Sequence, residues 1–273
     1  MKIVTLVENT TEREDLQSKH GLCLYIETER HKILFDLGPD DTFLRNAKVC
    51  GVDIKAVDTV IISHGHSDHG GGLGSFLQVN RTAKIYIHPD AFLPHYNKVL
   101  KIPVFCGLDP KYAKNKRIVW TGERYIIDKN LILFADVEDR KCVPTSNSTL
   151  LEQRGKQRVP DNFQHEQSLI IQEDGKVFVI GGCGHRGIIN IMRQANFITG
   201  KHLNAVVSGF HLVDPVLRKP ESHTFLDKLA YNMKKYTCQY YTCHCTGPGP
   251  YQHLAAELGD QLHTISTGSV LEL

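Results

Sequence analysis

Short apolar, β-branched runs broken by turn residues recur along the whole chain, and the pattern predicts strands in both halves. In the first half these are residues 2–7, 22–27, 32–35, 59–63 and 84–88; in the second, 124–127, 130–134, 168–172, 176–181, 205–209 and 240–243. The clearest hairpin joins Ser168-Leu169-Ile170-Ile171-Gln172 to Lys176-Val177-Phe178-Val179-Ile180, because Asp174-Gly175 between them favours a turn with positive φ. Apolar residues recur at helical spacing over 42–51, 72–79, 187–196, 223–235 and 251–258. Such a mixture predicts an α/β (α+β) fold, with strands stacked as two sheets and helices outside them. Residues 92–165 break the pattern, with Pro94, Pro103 and Pro110, a basic run from Lys111 to Arg117, and a polar stretch from Pro144 to Phe163. They read as an irregular insertion or lid within one domain spanning 1–273.

Composition narrows the class without naming a function. The 273 residues are 41% hydrophobic and 23% charged, enough for a substantial core. A net charge of +2 gives no basic stripe, so nucleic acid is not the expected partner. The apolar start Met1–Val7 is too short for a signal peptide, and no run approaches the ~20 apolar residues of a membrane span. A cytoplasmic location with no membrane partner is therefore expected. Eight scattered cysteines read as thiols rather than a disulfide framework. Cys238, Cys243 and Cys245, joined by Cys183, leave open a redox or electron-transfer site, although their spacing matches neither ferredoxin pattern.

The densest chemistry is His64-Gly65-His66-Ser67-Asp68-His69, directly after an apolar strand and before Gly70-Gly71-Gly72. Neutral imidazoles with a carboxylate are ligands that zinc prefers, and one loop of this kind can serve two adjacent ions. A structural zinc is the plainer reading, but such sites usually close four ligands and often use thiolates. Two later histidines end predicted strands beside glycines, His185 in Gly181-Gly182-Cys183-Gly184-His185 and His244 in Cys243-His244-Cys245-Thr246-Gly247. They supply a third ligand for each ion. His211, in Ser208-Gly209-Phe210-His211, has the same placement and is the next candidate, as a ligand or a substrate contact. His20, His88, His165 and His223 read more economically as surface or core.

Together with Ile33-Leu34-Phe35-Asp36-Leu37-Gly38, these segments resemble the metallo-β-lactamase superfamily over nearly the whole chain. Further segments, including Leu6-Val7-Glu8-Asn9-Thr10, Gly209-Phe210-His211-Leu212 and His244-Cys245-Thr246-Gly247, resemble its group of metal-dependent hydrolases related to dihydropterin-ribofuranosylaminobenzene phosphate synthase. The resemblance implies a four-layer αββα sandwich with two Zn2+ per chain, manganese or iron being the alternatives. It implies that His64, His66 and His185 hold one ion and Asp68, His69 and His244 the other, with Asp36 hydrogen-bonding a ligand histidine. Most members carry a bridging aspartate near the fourth motif, whereas this chain has no carboxylate until Asp214. His211 replaces it, contacts substrate, or leaves the centre mononuclear.

The function this implies is a hydrolase whose metal-activated water, oriented by Asp68, attacks a phosphorylated or diphosphate-bearing small molecule. A pterin-transferring synthase is the sharper version, and a nuclease or phosphodiesterase of the same superfamily the alternative. Arg186, Thr246 and Asn9 are the expected substrate contacts, and assembly into a homo-oligomer is compatible with the sequence.

Overall fold

The computed structural model describes residues 1–214 and 216–273. In chain order the strands of its first part are β1 (Lys2–Val7), β2 (Cys23–Glu27), β3 (Lys32–Phe35), β4 (Thr59–Ile61), β5 (Lys84–Ile87), β6 (His95–Val99), β7 (Ile102–Phe105) and β8 (Ile118–Trp120). There follow β9 (Arg124–Ile126), β10 (Leu131–Phe134), β11 (Leu150–Arg154), β12 (Gln157–Pro160), β13 (Ser168–Glu173) and β14 (Lys176–Ile180). The last are β15 (Ala205–Ser208), β16 (Gln239–Thr242), β17 (Leu262–Thr264) and β18 (Val270–Glu272). The α-helices are α1 (Thr42–Val49), α2 (Ser67–Gly70), α3 (Leu73–Val79), α4 (Ile188–Thr199), α5 (His223–Met233) and α6 (Pro248–Leu258).

The chain divides into two compact units, Met1–Gly122 with Leu150–Gln167 and Ile265–Leu273, and Glu123–Thr149 with Ser168–Thr264. The first unit holds a seven-stranded sheet in the order β18-β1-β2-β3-β4-β5-β8. Its pairs are antiparallel from β18 to β3 and parallel from β3 to β8. Leu34, Val60 and Ile85 pack there with Phe43 and Ala47 of α1 and Leu73 and Phe76 of α3. Each large side chain so buried contributes roughly 1.5–3 kcal/mol relative to exposure.

The second unit holds another seven-stranded sheet, β17-β16-β15-β14-β13-β10-β9. It too changes from antiparallel, β9 to β14, to parallel, β14 to β17. Ile170, Val179, Val206 and Tyr240 form its core with Ile188 and Met192 of α4, Leu226 and Leu229 of α5, and Leu254 of α6. The hairpin expected at Asp174-Gly175 is present, with φ of 53° and 75°. Helix α6 starts at Pro248, three residues before its apolar period, because proline suits the first turn of a helix.

Residues 92–165 are more regular than their composition predicts. They carry β6 to β12, of which β12-β11-β6-β7 form a four-stranded antiparallel sheet within the first unit. The β6–β7 turn uses Leu100 and Lys101 at φ of 49° and 71°, residue types that carry no turn signal. Pro103 is accommodated because β7 lies at a sheet edge. No described helix is long and apolar enough to cross a membrane.

Candidate metal centre

In the first unit the centre starts from the paired ends of β3 and β4. The amide of Asp36 still donates to Ile61 O at 2.8 Å, and then a φ of 61° turns the chain. The side chain is fully buried. Asp36 Oδ1 accepts from the Ser63 amide at 2.7 Å, and Oδ2 accepts from Ser63 Oγ at 2.7 Å and from His69 Nδ1 at 2.6 Å. A serine hydroxyl has one hydrogen, and here a carboxylate takes it. The 2.8 Å contact between Ser63 Oγ and His64 Nδ1 is therefore donated by the imidazole. His64 and His69 both carry their proton on Nδ1, and each neutral ring keeps its lone pair on Nε2.

Nε2 of His64 lies 3.0 Å from Nδ1 of His66. Zinc–nitrogen bonds of 2.0–2.1 Å give a tetrahedral edge of about 3.3 Å, so the two nitrogens are spaced almost as adjacent ligands of one ion. Burial pushes the His66 imidazole down to about 3, which keeps it neutral, as a ligand must be. The ring centroids of His64 and His69 are 4.2 Å apart. Asp68 is half-buried, with Oδ2 3.4 Å from His20 Nε2 and 3.7 Å from His69 Nε2. The residues present in this unit thus fit a borderline divalent cation in donor type, tautomer and spacing.

The loop is braced from behind by His165, read from sequence as surface or core, and by His95 and Asp161, which sequence reasoning did not single out. The Gly65 amide donates to His165 Nδ1 at 3.0 Å, which leaves His165 Nε2 to donate to Asp161 at 3.2 Å. His95 Nδ1 donates to the same carboxylate at 3.0 Å, and the Phe163 amide does so at 2.8 Å. His95, Asp161 and His165 are all buried. Burial would raise the Asp161 carboxyl, but the two imidazoles hold it well below the usual carboxylate range. A Cβ at Gly65 would lie 2.5 Å from both Ala91 O and His95 Nε2, so only glycine permits this approach. His95 and Asp161 fall in the stretch that looked irregular, and no spacing links them to the histidine loop.

In the second unit the candidate residues follow three parallel strands. His185, beyond β14, pairs reciprocally with Asn147: Nδ1 donates to Asn147 Oδ1 at 2.9 Å, and Asn147 Nδ2 donates to His185 O at 2.8 Å. The carbonyl fixes which end of the amide is the donor, so His185 is also protonated on Nδ1. His211, beyond β15, packs its ring 4.1 Å from that of His185, and Ser146 Oγ donates to the His211 carbonyl at 2.5 Å. His244, beyond β16, is buried. His211 and His244 take left-handed φ values of 49° and 52°. Cys183 and Cys245 are buried beside His211, and the Cys245 thiol donates to Cys183 O at 3.4 Å. Both units therefore place their chemistry at the carboxyl ends of adjacent parallel strands, where open sheets with parallel strands bind ligands.

A family model of the metallo-beta-lactamase superfamily matches residues 19–188. The chain belongs to the metallo-beta-lactamase superfamily. Over its full length it is 26% identical to the 7,8-dihydropterin-6-methyl-4-(beta-D-ribofuranosyl)-aminobenzene-5'-phosphate synthase of Methanocaldococcus jannaschii, covering 96% of that protein. The crystal structure of a metal-dependent hydrolase of the beta-lactamase superfamily superimposes with a TM-score of 0.85 at 27% identity, covering 100% of this chain and 99% of that one. The zinc-bound PqqB of Methylobacterium extorquens shares the fold at a TM-score of 0.57 and 12% identity, with 100% of both chains covered.

The candidate donors fall in two groups, one in each unit. His64, His66, Asp68 and His69 come together in the first unit, where Asp36 accepts a hydrogen bond from His69. His185, His211 and His244 lie in the second. Asp214, the first carboxylate after β15, accepts the amides of Val216 and Leu217 at 2.8 and 2.7 Å and so serves its own turn. The three expected substrate contacts have internal partners. Arg186 is buried and donates to the Val137 carbonyl, and Asn9 Oδ1 accepts from the Gly21 amide at 3.2 Å. Thr242 gives its hydrogen to Ser208 O, so Thr246 donates to Thr242 Oγ1 at 2.6 Å while accepting from the Phe210 amide at 2.9 Å. The hydroxyl of Thr246 ties two loops together and has no hydrogen left for a substrate. The four-cysteine alternative is not assembled: among the described residues Cys183 and Cys245 cluster with His211, and Cys238 and Cys243 join no such group.

Proposed function

We propose that the protein is a metal-dependent hydrolase acting on a phosphorylated or diphosphate-bearing small molecule. Zinc, two ions per chain, would be held by donors drawn from His64, His66, Asp68 and His69 of the first unit and from His185 and His244 of the second. The relay from Asp36 through Ser63 carries this reading, because it fixes the proton of two buried histidines on Nδ1 and leaves Nε2 for a cation. The matching tautomer of His185, set by Asn147, supports it from the second unit. Zinc supplies Lewis acidity and lowers the pKa of water from 15.7 to about 7. The chain's part is to keep the imidazoles neutral and oriented, while half-buried Asp68 would accept a hydrogen bond from the attacking water.

A synthase reading is favoured by one observation, the full-length similarity to the Methanocaldococcus jannaschii protein. In it the bound metals would supply Lewis acidity to a departing diphosphate, and a carbon nucleophile of the acceptor would take the place of water. Elemental analysis of protein purified without added metal, followed by assays on phosphoesters and diphosphoesters with and without an aminobenzene acceptor, separates the readings. About two ions per chain with turnover in water alone supports hydrolysis, and turnover only with acceptor supports the synthase. Metal content that is unchanged in His64→Ala and His69→Ala variants overturns both; the identity of the ion distinguishes zinc from manganese or iron.

A further inference from the structure

The β6–β7 hairpin carries an exposed apolar edge. Leu100, Ile102, Val104 and Phe105 are 82, 67, 48 and 50% exposed, four large apolar side chains within six residues. Strand β7 holds no charged residue, and it pairs on one side only, with β6. Scattered apolar residues are ordinary at a surface, whereas a contiguous group of them marks an interaction site.

Hydrogen-bond parity decides what the free side of β7 can accept. The register sets Val99 against Ile102, Lys98 against Pro103, Asn97 against Val104 and Tyr96 against Phe105. Just beyond, the Cys106 amide donates to His95 O at 2.9 Å. Bonds in an antiparallel pair alternate, so Ile102 and Val104 turn their N–H and C=O towards β6, and Pro103 and Phe105 turn theirs outward. Proline has no amide hydrogen. The outer edge therefore offers one donor, Phe105 N–H, and two acceptors, the carbonyls of Pro103 and Phe105.

A proline on an edge limits open-ended strand addition, yet this set closes on itself. When a second copy is laid antiparallel across a two-fold axis at Val104, each Phe105 amide donates to the Pro103 carbonyl of the partner subunit, and no donor is left over. On one face each Phe105 lies opposite the partner's Pro103; on the other, Val104 lies opposite its own equivalent. With no charge on β7, like charges do not meet at the seam, and an acidic or basic partner finds nothing on the strand to recognise.

We propose that β7 is the seam of a two-fold dimer of this chain, in which two four-stranded sheets join into one of eight strands. An interface of this self-complementary kind is the commonest in symmetric oligomers. Stable dimers take about 800 Å2 from each partner, with charged residues depleted at the centre of the patch. The uncharged edge supplies that centre.

Sedimentation of the full chain at high micromolar concentration reads the mass. Wild type is expected at twice the 30.8 kDa of one chain. Val104→Lys and Val104→Glu each place like charges across the axis and should sediment as single chains. Their equimolar mixture should return to twice that mass, because a two-fold at position 104 sets lysine against glutamate. Thermal melting checks that both variants fold. A second measurement needs no charge: residues opposed in a non-hydrogen-bonded pair have Cα atoms about 4.5 Å apart, within disulfide range. Val104→Cys oxidised with diamide should give chains linked in pairs, which wild type and Leu100→Cys should not. Wild type at the mass of one chain overturns the dimer. Charged variants that stay dimeric, a mixture that stays monomeric, or equal linking through Leu100→Cys overturn this seam.

Discussion

The two units hold their histidines by different means. In the first, a buried carboxylate, one serine and two histidines are joined by four hydrogen bonds of 2.6–2.8 Å, all drawn from residues 36–69. In the second, His185 is oriented by a neutral amide 38 residues upstream, and His211 packs its ring against that of His185. A carboxylate that accepts several strong hydrogen bonds makes a rigid, basic ligand set, whereas an amide sets the tautomer with little charge. The comparison teaches that the same histidine tautomer can be set by a charged or a neutral partner, at different cost when the partner is lost.

The largest effect is expected at Asp36. Asp36→Ala leaves the buried Nδ1–H of His69, the Ser63 hydroxyl and the Ser63 amide without an acceptor. Removing one partner of a buried charged network costs about 3–5 kcal/mol, and losing a hydrogen-bond partner of a metal ligand weakens metal binding about 10–100-fold. Urea unfolding and metal retention on dialysis measure the two effects. Asp36→Asn can present only one oxygen and is expected to fall in between. Stability within 1 kcal/mol of wild type in the alanine variant would remove the basis of the comparison.

Acid sharpens the contrast, because His66 is buried neutral. Its folded pKa is about 3, below the unfolded value of about 6.5. Between these values the unfolded chain binds the extra proton, so stability is complete above about pH 6.5 and falls as pH drops towards 3. Asp161, also depressed when folded, adds a loss of the same sign below its unfolded value of about 3.9. Metal-free protein should lose a few kcal/mol over this range, and His66→Gln should flatten the part above pH 4. An identical profile in that variant would assign the acid sensitivity to other groups.

Gly65→Ala tests the brace behind the loop. The added Cβ meets the Ala91 carbonyl and the His95 ring at 2.5 Å, and overpacking of this kind costs about 1–3 kcal/mol. Because the Gly65 amide is what His165 holds, displacement should also alter the bite of His64 and His66. A shift in the visible spectrum of bound cobalt, beyond the stability loss, is the signature; an unchanged spectrum would make the brace a packing feature only.

Legibility in the sequence follows the same division. The histidine loop and Asp36 were readable because the candidate ligands lie in one short segment, and Asp36 ends an apolar strand just before the Leu37-Gly38 turn. Most strands and the longer helices of both seven-stranded sheets were readable from apolar runs with turn residues between them, whereas β8, β17 and β18, of three residues each, were too short to show a pattern. The β6–β7 and β11–β12 hairpins were not, since β7 and β12 are largely exposed edge strands without a strong apolar period, and the first turns on Leu100 and Lys101. Asn147, His95 and Asp161 were missed for a related reason. Their roles rest on hydrogen bonds from Asn147 to His185 and from His95 to Asp161 that join distant chain segments, and one-dimensional spacing holds no trace of those. Thr246 was misread because its position beside His244 is visible in the sequence, whereas its commitment to Thr242 and Phe210 is visible only in three dimensions.

The smallest effect should come from Asn147, and it isolates what a neutral partner contributes. Asn147→Ala removes two hydrogen bonds to His185 without leaving a charge behind, so the stability loss is expected near 1–2 kcal/mol, below that of Asp36→Ala. With Nδ1 no longer anchored, the ring of His185 can exchange tautomers, and nitrogen-15 NMR of the imidazoles should show a population protonated on Nε2. Asn147→Asp separates orientation from charge: the carboxylate still accepts from Nδ1, but it faces the His185 carbonyl with no hydrogen to give. If the tautomer survives in the aspartate variant and not in the alanine variant, the acceptor alone sets it, by the same means that Asp36 uses for His69. If both variants keep it, His185 is fixed by its packing against His211, and the neutral amide is only a local tie.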